Sequence, residues 1–417
     1  LLIVAIVCMS VIILIFIGLA IACSKTKKEN PYNTAPYSTL NATYVSHRFK
    51  DKLTTSQLLS RLNTFVSNTD SFVHPKYDVT VYRIFYKTHD YQNNEITASG
   101  LVYIPEIKNY TVPVICYQHG TVFHKEEVPS FSGDLSYFAP FVLASESGAI
   151  VCAADYIGLG FSDGVQHYYE PTEEANAVVD MLGSVQLLLN KTYRALTFSN
   201  DIFLIGYSQG GHATLAAQRK LETIYRYQFQ VKASAPMASF FSFEKSSQLN
   251  VMKDSLYISL PSAYAFLINS IQITQHIYPS YKNVLIEPYD SLTNLIFNGT
   301  YRVDIVNALY PNYFYNALQP AFRNDLKYNP NNLFFQAIKK YDVINDWIPK
   351  APTHIYHSEG DEIAFYDNSV IAYNTFKQKG GNVALISLGN VSHLDGNIKA
   401  ITEVRNWFYP IIEITPY

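Results

Sequence analysis

Charge, cysteine and tryptophan are all scarce in this 417-residue chain: 16% of residues are charged, four are Cys and two are Trp. Lys and Arg (31) nearly balance Asp and Glu (34), which leaves a net charge of −3 and no long basic run. Nucleic-acid binding needs clustered Lys and Arg to neutralise phosphates, so that class of partner has no electrostatic footing here. Four cysteines do not make a disulfide framework. Cys8 and Cys23 fall in the first segment, while Cys116 and Cys152 fall in stretches read as neighbouring parallel strands, where two free buried thiols are expected. No cysteine–histidine spacing of the zinc type occurs, so no metal site is expected. What the chain has in quantity is apolar surface: 48% hydrophobic residues, 34 Tyr and 25 Phe. That is enough for one large core or two smaller ones, and it favours strands and apolar pockets over disorder.

Charge is missing altogether from residues 1–22, an unbroken apolar run that ends at Ala22-Cys23-Ser-Lys25-Thr-Lys-Lys28. A small residue before Cys23, after an apolar stretch, resembles the lipobox of bacterial lipoprotein signal peptides, with Ala20 where Leu is usual. That resemblance implies cleavage before Cys23 and lipid on Cys23. The competing reading is an uncleaved transmembrane anchor, for which about 20 apolar residues suffice. Lys25, Lys27 and Lys28 would then sit on the wrong side of the positive-inside rule. Both readings put the globular part outside the cytoplasm, in the cell envelope, tethered to a membrane through residues 23–50, which are rich in Asn, Thr, Ser, Tyr and Pro.

From residue 51 the pattern becomes that of a folded domain. Residues 54–66 carry Leu58, Leu59, Leu62 and Phe65 at helical spacing. Residues 77–88 and 95–104 alternate and read as an antiparallel hairpin. Apolar strands at 112–118, 149–154, 202–205 and 231–236 then alternate with helices at 137–147, 173–189 and 211–221. This order predicts right-handed βαβ crossovers, a mostly parallel sheet, and functional loops at the carboxyl ends of its strands. The alternation stops at residues 240–350, an aromatic stretch read as a mainly helical cap. It resumes with strand 353–357, helix 367–379, strand 383–388 and a closing helix from about 397 to 408. The core is therefore expected in two pieces, 51–239 and 351–417.

One motif organises the chemistry. Residues 202–205 run into Gly206-Tyr-Ser208-Gln-Gly210, and helix formers follow: the strand, G-x-S-x-G, helix order of a nucleophile elbow. A serine on so sharp a turn needs neighbours without bulk, which Gly206 and Gly210 supply. The helix start aims the N–H of Gln209 at an anion formed on a substrate. A serine hydroxyl also needs a base, and the base a carboxylate to fix its tautomer. His393 follows strand 383–388 and Asp361 follows strand 353–357, with Glu359, Glu362 and Asp367 as rivals and Asp155 as a remote one. The second oxyanion donor is assigned to the N–H of Thr121, in His119-Gly120-Thr121 after strand 112–118. His212, one turn beyond Ser208, reads as a packing or capping residue. His119 and His124 lack partners spaced to complete a metal site.

With those residues in hand, the chain resembles the α/β-hydrolase superfamily, and within it the secretory lipase-type and related bacterial lipoprotein hydrolases. The resemblance is carried by Gln118-His-Gly-Thr121, Ala154-Asp-Tyr-Ile-Gly-Leu-Gly-Phe-Ser162, Gly206-Tyr-Ser-Gln-Gly-Gly211, Gly360-Asp361 and Ser392-His393. It implies an eight-stranded sheet, a helical cap over the site, no cofactor, and a small-molecule ester substrate cleaved through Ser208, His393 and Asp361. It departs from the esterase pattern at Thr121-Val122, where Gly-Gly often follows His-Gly. The cap aromatics are expected to line an acyl pocket, with an aromatic packed core as the alternative. A serine exopeptidase of the same fold and a non-catalytic lipid-tethered binding protein are the competing functions.

Overall fold

The structure, a computed structural model, describes residue 40 and residues 42–65, 72–131, 135–193 and 195–417. The apolar run 1–22, the proposed lipidation site Cys23 and most of the expected tether lie outside the described residues. Among those described, no helix is long and apolar enough to cross a membrane.

The expected alternation of strands and helices builds one sheet. Its strands are β1 (Thr43–Leu53), β2 (Val79–His89), β3 (Glu95–Pro105), β4 (Tyr110–Gln118), β5 (Ile150–Ala154), β6 (Leu196–Tyr207), β7 (Gln230–Met237), β8 (Thr353–His357), β9 (Val383–Ser387) and the two-residue β10 (Thr415–Pro416). Nine of them run in the order β1-β2-β3-β5-β4-β6-β7-β8-β9, and β10 pairs with β4. From β5 to β9 every neighbouring pair is parallel, while β1, β2 and β3 join antiparallel at one edge.

The sheet therefore exceeds the expected eight strands, and part of the expected tether is structured. β1 covers residues 43–50 of that tether and pairs with β2 from Thr43↔Lys87 to Leu53↔Val79. Its side chains are largely solvated, so no clean apolar alternation marks it. Backbone pairing along a sheet edge makes it a strand, and that leaves little trace in composition.

The central strands alternate their side chains between two buried faces. Ile115, Tyr117, Phe203 and Ile205 pack on one side with Phe141 and Phe408. Val114, Cys116, Ile202 and Leu204 pack on the other with Met181, Leu182 and Val185. The first side is covered by α1 (Thr55–Leu62), α2 (Leu135–Ser147) and α12 (His393–Phe408), the second by α3 (Pro171–Thr192), and α11 (Asp367–Gln378) packs on β8 and β9. The thiols of Cys116 and Cys152 lie in register on adjacent strands, both buried and both free.

The start of α3 carries an electrostatic cost. Pro171 opens the helix and Glu170 caps it, its carboxylate accepting the Glu173 N–H at 2.7 Å. Burial pushes the Glu170 carboxyl from its ordinary 4.5 up to about 7, with Glu173 and Glu174 adding like charge. Burial likewise raises Asp342 from 3.8 to about 6. A carboxyl whose folded pKa exceeds its unfolded one binds protons more tightly in the folded state. Its contribution to stability is complete below about pH 4 and is lost as pH rises toward about 7. Glu170→Gln should flatten that part of the stability–pH curve by roughly 2–3 kcal/mol. Urea denaturation at pH 5 and pH 8 reads the difference.

Between β7 and β8 only helical elements occur among the named ones. They are α5 (Asn250–Lys253), α6 (Pro261–Gln275), α7 (Tyr289–Ile296), α8 (Val303–Asn307), α9 (Pro320–Tyr328), α10 (Leu333–Ile338) and short 3₁₀ turns. The aromatics of this insertion build a core of their own. Phe266 stacks on Phe297 at 4.5 Å and on Tyr168 at 4.7 Å, both within 5° of parallel. Tyr264, Tyr310 and Phe314 pack beside them. Large rings make the most favourable area by burying one another, and here they do so away from the pocket.

Candidate active site

Ser208 sits where β6 ends and α4 (Gln209–Thr223) begins, with φ 59° and ψ −127°. That backbone region is unfavourable for any side chain and persists only where its surroundings enforce it. They do so here: the Ser208 N–H donates to the Met237 carbonyl at 3.0 Å, and the Gly211 N–H to the Ser208 carbonyl at 2.8 Å. The glycines supply the required clearance. A Cβ on Gly210 would lie 2.1 Å from the carbonyl oxygen of Gln118, and one on Gly206 2.2 Å from that of Gly210. Gly210→Ala should therefore force β4 and α4 apart, destabilising the fold by roughly 2–3 kcal/mol, a typical overpacking cost. A lowered thermal midpoint with loss of Ser208 reactivity is the expected readout.

The chain brings Ser208 and His393 to one cavity of about 530 Å³, with Gly120, Thr121, Val122, Leu260, Val303, Ile363 and Leu394 among its walls. Ser208 makes no side-chain cap bond to its helix. His393 is the first residue of α12, which starts four residues earlier than expected because Ser392 caps it, accepting the Asp395 N–H. The His393 Nδ1 lies 2.6 Å from Oδ2 of Asp361, which leaves Nε2 as the ring nitrogen without a carboxylate partner. No hydrogen bond joins Ser208 Oγ to His393 in this structure. Such bonds often run long in unliganded sites and tighten around substrate.

Asp361 is anchored on its other oxygen, Oδ1, by the N–H groups of Ile363 (2.9 Å) and Ala364 (2.8 Å). Burial by itself would raise its pKa. Hydrogen bonds from His357 and His393, with the charge those rings can carry, outweigh burial and hold Asp361 well below the usual carboxylate range. The rivals point elsewhere. Glu359 accepts from Ser387 Oγ, Asp367 from the Ser247 N–H, and Glu362 from the backbone rather than the ring of His393.

On the opposite wall, His119-Gly120-Thr121 follows β4 directly. A Cβ on Gly120 would lie 3.8 Å from that of Ser208, so this loop packs against the elbow. The Thr121 hydroxyl is 2.8 Å from that of Tyr168, and His119 stacks on Tyr156 at 4.2 Å. The insertion contributes Leu260 and Val303 to the cavity rather than the aromatic lining expected of it. Its rings serve as packed core instead.

The secretory lipase family profile matches residues 139–408, well over half of the chain. The chain belongs to the secretory lipase family. Among solved structures it is similar to a Legionella pneumophila protein designated no more finely than a hydrolase (TM-score 0.80, 24% identity, 88% of this chain and 98% of that one). It is similar to the ligand-bound rice cell wall degrading esterase LipA of Xanthomonas oryzae (TM-score 0.79, 25% identity, 88% and 98%). It also shares its fold with Candida antarctica lipase A in the closed state (TM-score 0.62, 16% identity, 90% and 86%). No curated protein sequence matches it. The fold is that of the α/β-hydrolases and the activity class is ester hydrolysis. The family is one of exported proteins.

Other residues of this secretory lipase singled out in the sequence have structural places. Asp155 is buried against the Ser99 hydroxyl and the Ser130 N–H, away from His393. His124 accepts the Glu126 N–H in a turn. His212 is fully buried behind the elbow: Nε2 donates to the Tyr341 carbonyl at 2.7 Å, and Nδ1 meets Glu174 Oε2 at 2.5 Å. Glu174 Oε1 also accepts from the side chain of Gln209 at 2.9 Å. Sequence reasoning missed three contributors: Glu174, Tyr207, whose hydroxyl donates to the His393 carbonyl at 2.6 Å, and His357, which bonds Asp361. Tyr207 lies inside the elbow motif and His357 four residues before Asp361, but only the folded chain turns those positions into contacts.

Proposed function

We propose that this secretory lipase cleaves carboxylic esters through a serine nucleophile and a covalent acyl-enzyme. His393 Nε2 takes the proton of Ser208 as Oγ attacks the ester carbon. The carbonyl oxygen becomes an oxyanion that the N–H groups of Gln209 and Thr121 receive. His393 then protonates the departing alcohol. A water, deprotonated by His393, adds to the acyl-enzyme; the second tetrahedral intermediate collapses to the carboxylic acid as His393 returns the proton to Ser208. Asp361 holds the His393 ring in the tautomer that leaves Nε2 free and stabilises the imidazolium.

The observation that carries this reading is the 2.6 Å contact between His393 and Asp361 at the cavity that also holds Ser208. The cavity walls favour an ester over a peptide with a free amino terminus, because the acidic side chain among them, Glu127, is already paired with Arg302 at 2.9 Å. Hydrolysis of short and long p-nitrophenyl esters, with fluorophosphonate labelling traced to Ser208, tests the mechanism; labelling elsewhere or none would end it. A cavity of about 530 Å³ is expected to favour short acyl chains. Membrane attachment through a lipid on Cys23 is proposed on the Ala22-Cys23 junction, and the mass of the mature amino-terminal peptide checks it.

A further inference from the structure

Asp361 is gripped by a second imidazole that the proposed reaction does not use. His357 ends β8, four residues before Asp361, and both side chains are fully buried. Its Nε2 lies 2.6 Å from the Ala364 carbonyl and 3.2 Å from Asp361 Oδ2, the same oxygen that receives His393. A carbonyl only accepts, so Nε2 carries the proton and shares it between the two oxygens. On the far side of the ring, Nδ1 is 2.6 Å from the Ser369 hydroxyl, which can donate to it. Every polar atom of a neutral Nε2–H imidazole is thereby satisfied, in a place where an unpaired one would be costly.

We infer that His357 is a positioning residue: a buried imidazole that donates from Nε2, fixes the plane of the Asp361 carboxylate and shares its Oδ2 with His393. The inference rests on the proposed serine mechanism. The backbone N–H groups of Ile363 and Ala364 fix Oδ1, and His357 fixes the remaining rotation about the carboxylate. By occupying part of Oδ2, His357 also withdraws negative charge from His393. Losing that donor leaves the carboxylate free to turn, so the His393 ring that bonds the same oxygen loses a fixed orientation toward Ser208.

The other titratable groups facing this trio are few. Glu362 accepts the backbone N–H of His393, the Tyr207 hydroxyl donates to the His393 carbonyl, and the ring of Tyr366 stands edge-on to His357 at 5.6 Å. None of them bonds to Asp361 Oδ2.

The test compares His357→Phe, which keeps a ring but loses the donor, with His357→Gln, whose amide nitrogen can reach the Nε2 position. His357→Phe is expected to lower kcat about tenfold, the loss of one hydrogen bond to a charged group, with KM nearly unchanged. His357→Gln should restore most of the lost kcat. A folded His357→Phe with wild-type kcat overturns the inference, as do equal loss in the two variants and a KM that changes as much as kcat. Because His357→Phe can fail to fold, ¹⁵N NMR of the imidazoles in the unmodified protein is the second measurement. The Nε2–H tautomer is expected for His357, with the proton on the nitrogen that faces the Ala364 carbonyl, and a ring protonated on Nδ1 alone overturns the inference. Failure of the serine mechanism is recognised separately, by turnover that survives in Ser208→Ala.

Discussion

Ser208→Ala is expected to lower kcat for ester hydrolysis by about 10⁵–10⁶-fold, with the thermal midpoint little changed. Removing the nucleophile of a serine hydrolase leaves only what the oxyanion donors and substrate binding contribute, on the order of 10³-fold over water. The change deletes one oxygen that makes no cap bond to α4. Backbone bonds to Met237 and from Gly211 hold the strained turn and do not involve the hydroxyl. Rates on a p-nitrophenyl ester, with calorimetry of the same samples, separate chemistry from folding. A folded variant retaining more than about one per cent of wild-type turnover would refute the role given to Ser208.

Asp361→Asn should be nearly as severe, at about 10⁴-fold in kcat. Asp361 Oδ1 accepts two backbone N–H groups, so an asparagine must place its carbonyl oxygen there. Its NH₂ then falls at the Oδ2 position, against the N–H of His393 and the N–H of His357. Donors would face donors on both sides. His393 can relieve the clash by carrying its proton on Nε2, but a ring in that tautomer cannot accept the proton of Ser208. KM for a p-nitrophenyl ester should change far less than kcat, because the cavity walls are untouched. Equal effects on both constants would point to a collapsed site rather than a misplaced proton.

These two predictions rest on residues legible in the amino-acid sequence, since Ser208, Asp361 and His393 each follow a strand whose apolar run is plain there. Other features were not legible, for separate reasons. β1 is an edge strand held by backbone pairing, so its mixed composition reads as a tether. The aromatic richness of the insertion announces burial but not the direction each ring faces. Only packing shows that Phe266, Phe297 and Tyr310 face one another while aliphatic Leu260 and Val303 reach the cavity. Ser392 capping draws His393 into the first turn of α12, where a pattern of apolar residues has no reason to begin.

By itself, then, the chain determined the order of strands and helices, the glycine-flanked turn at Ser208 and the strand ends that carry Asp361 and His393. Local periodicity and steric need are written residue by residue. Tertiary structure alone decided which of several acids meets the imidazole, that a second histidine grips the same carboxylate, and what lines the pocket. Those are contacts between residues distant in the chain, and their geometry exists only once the sheet has brought its strand ends together.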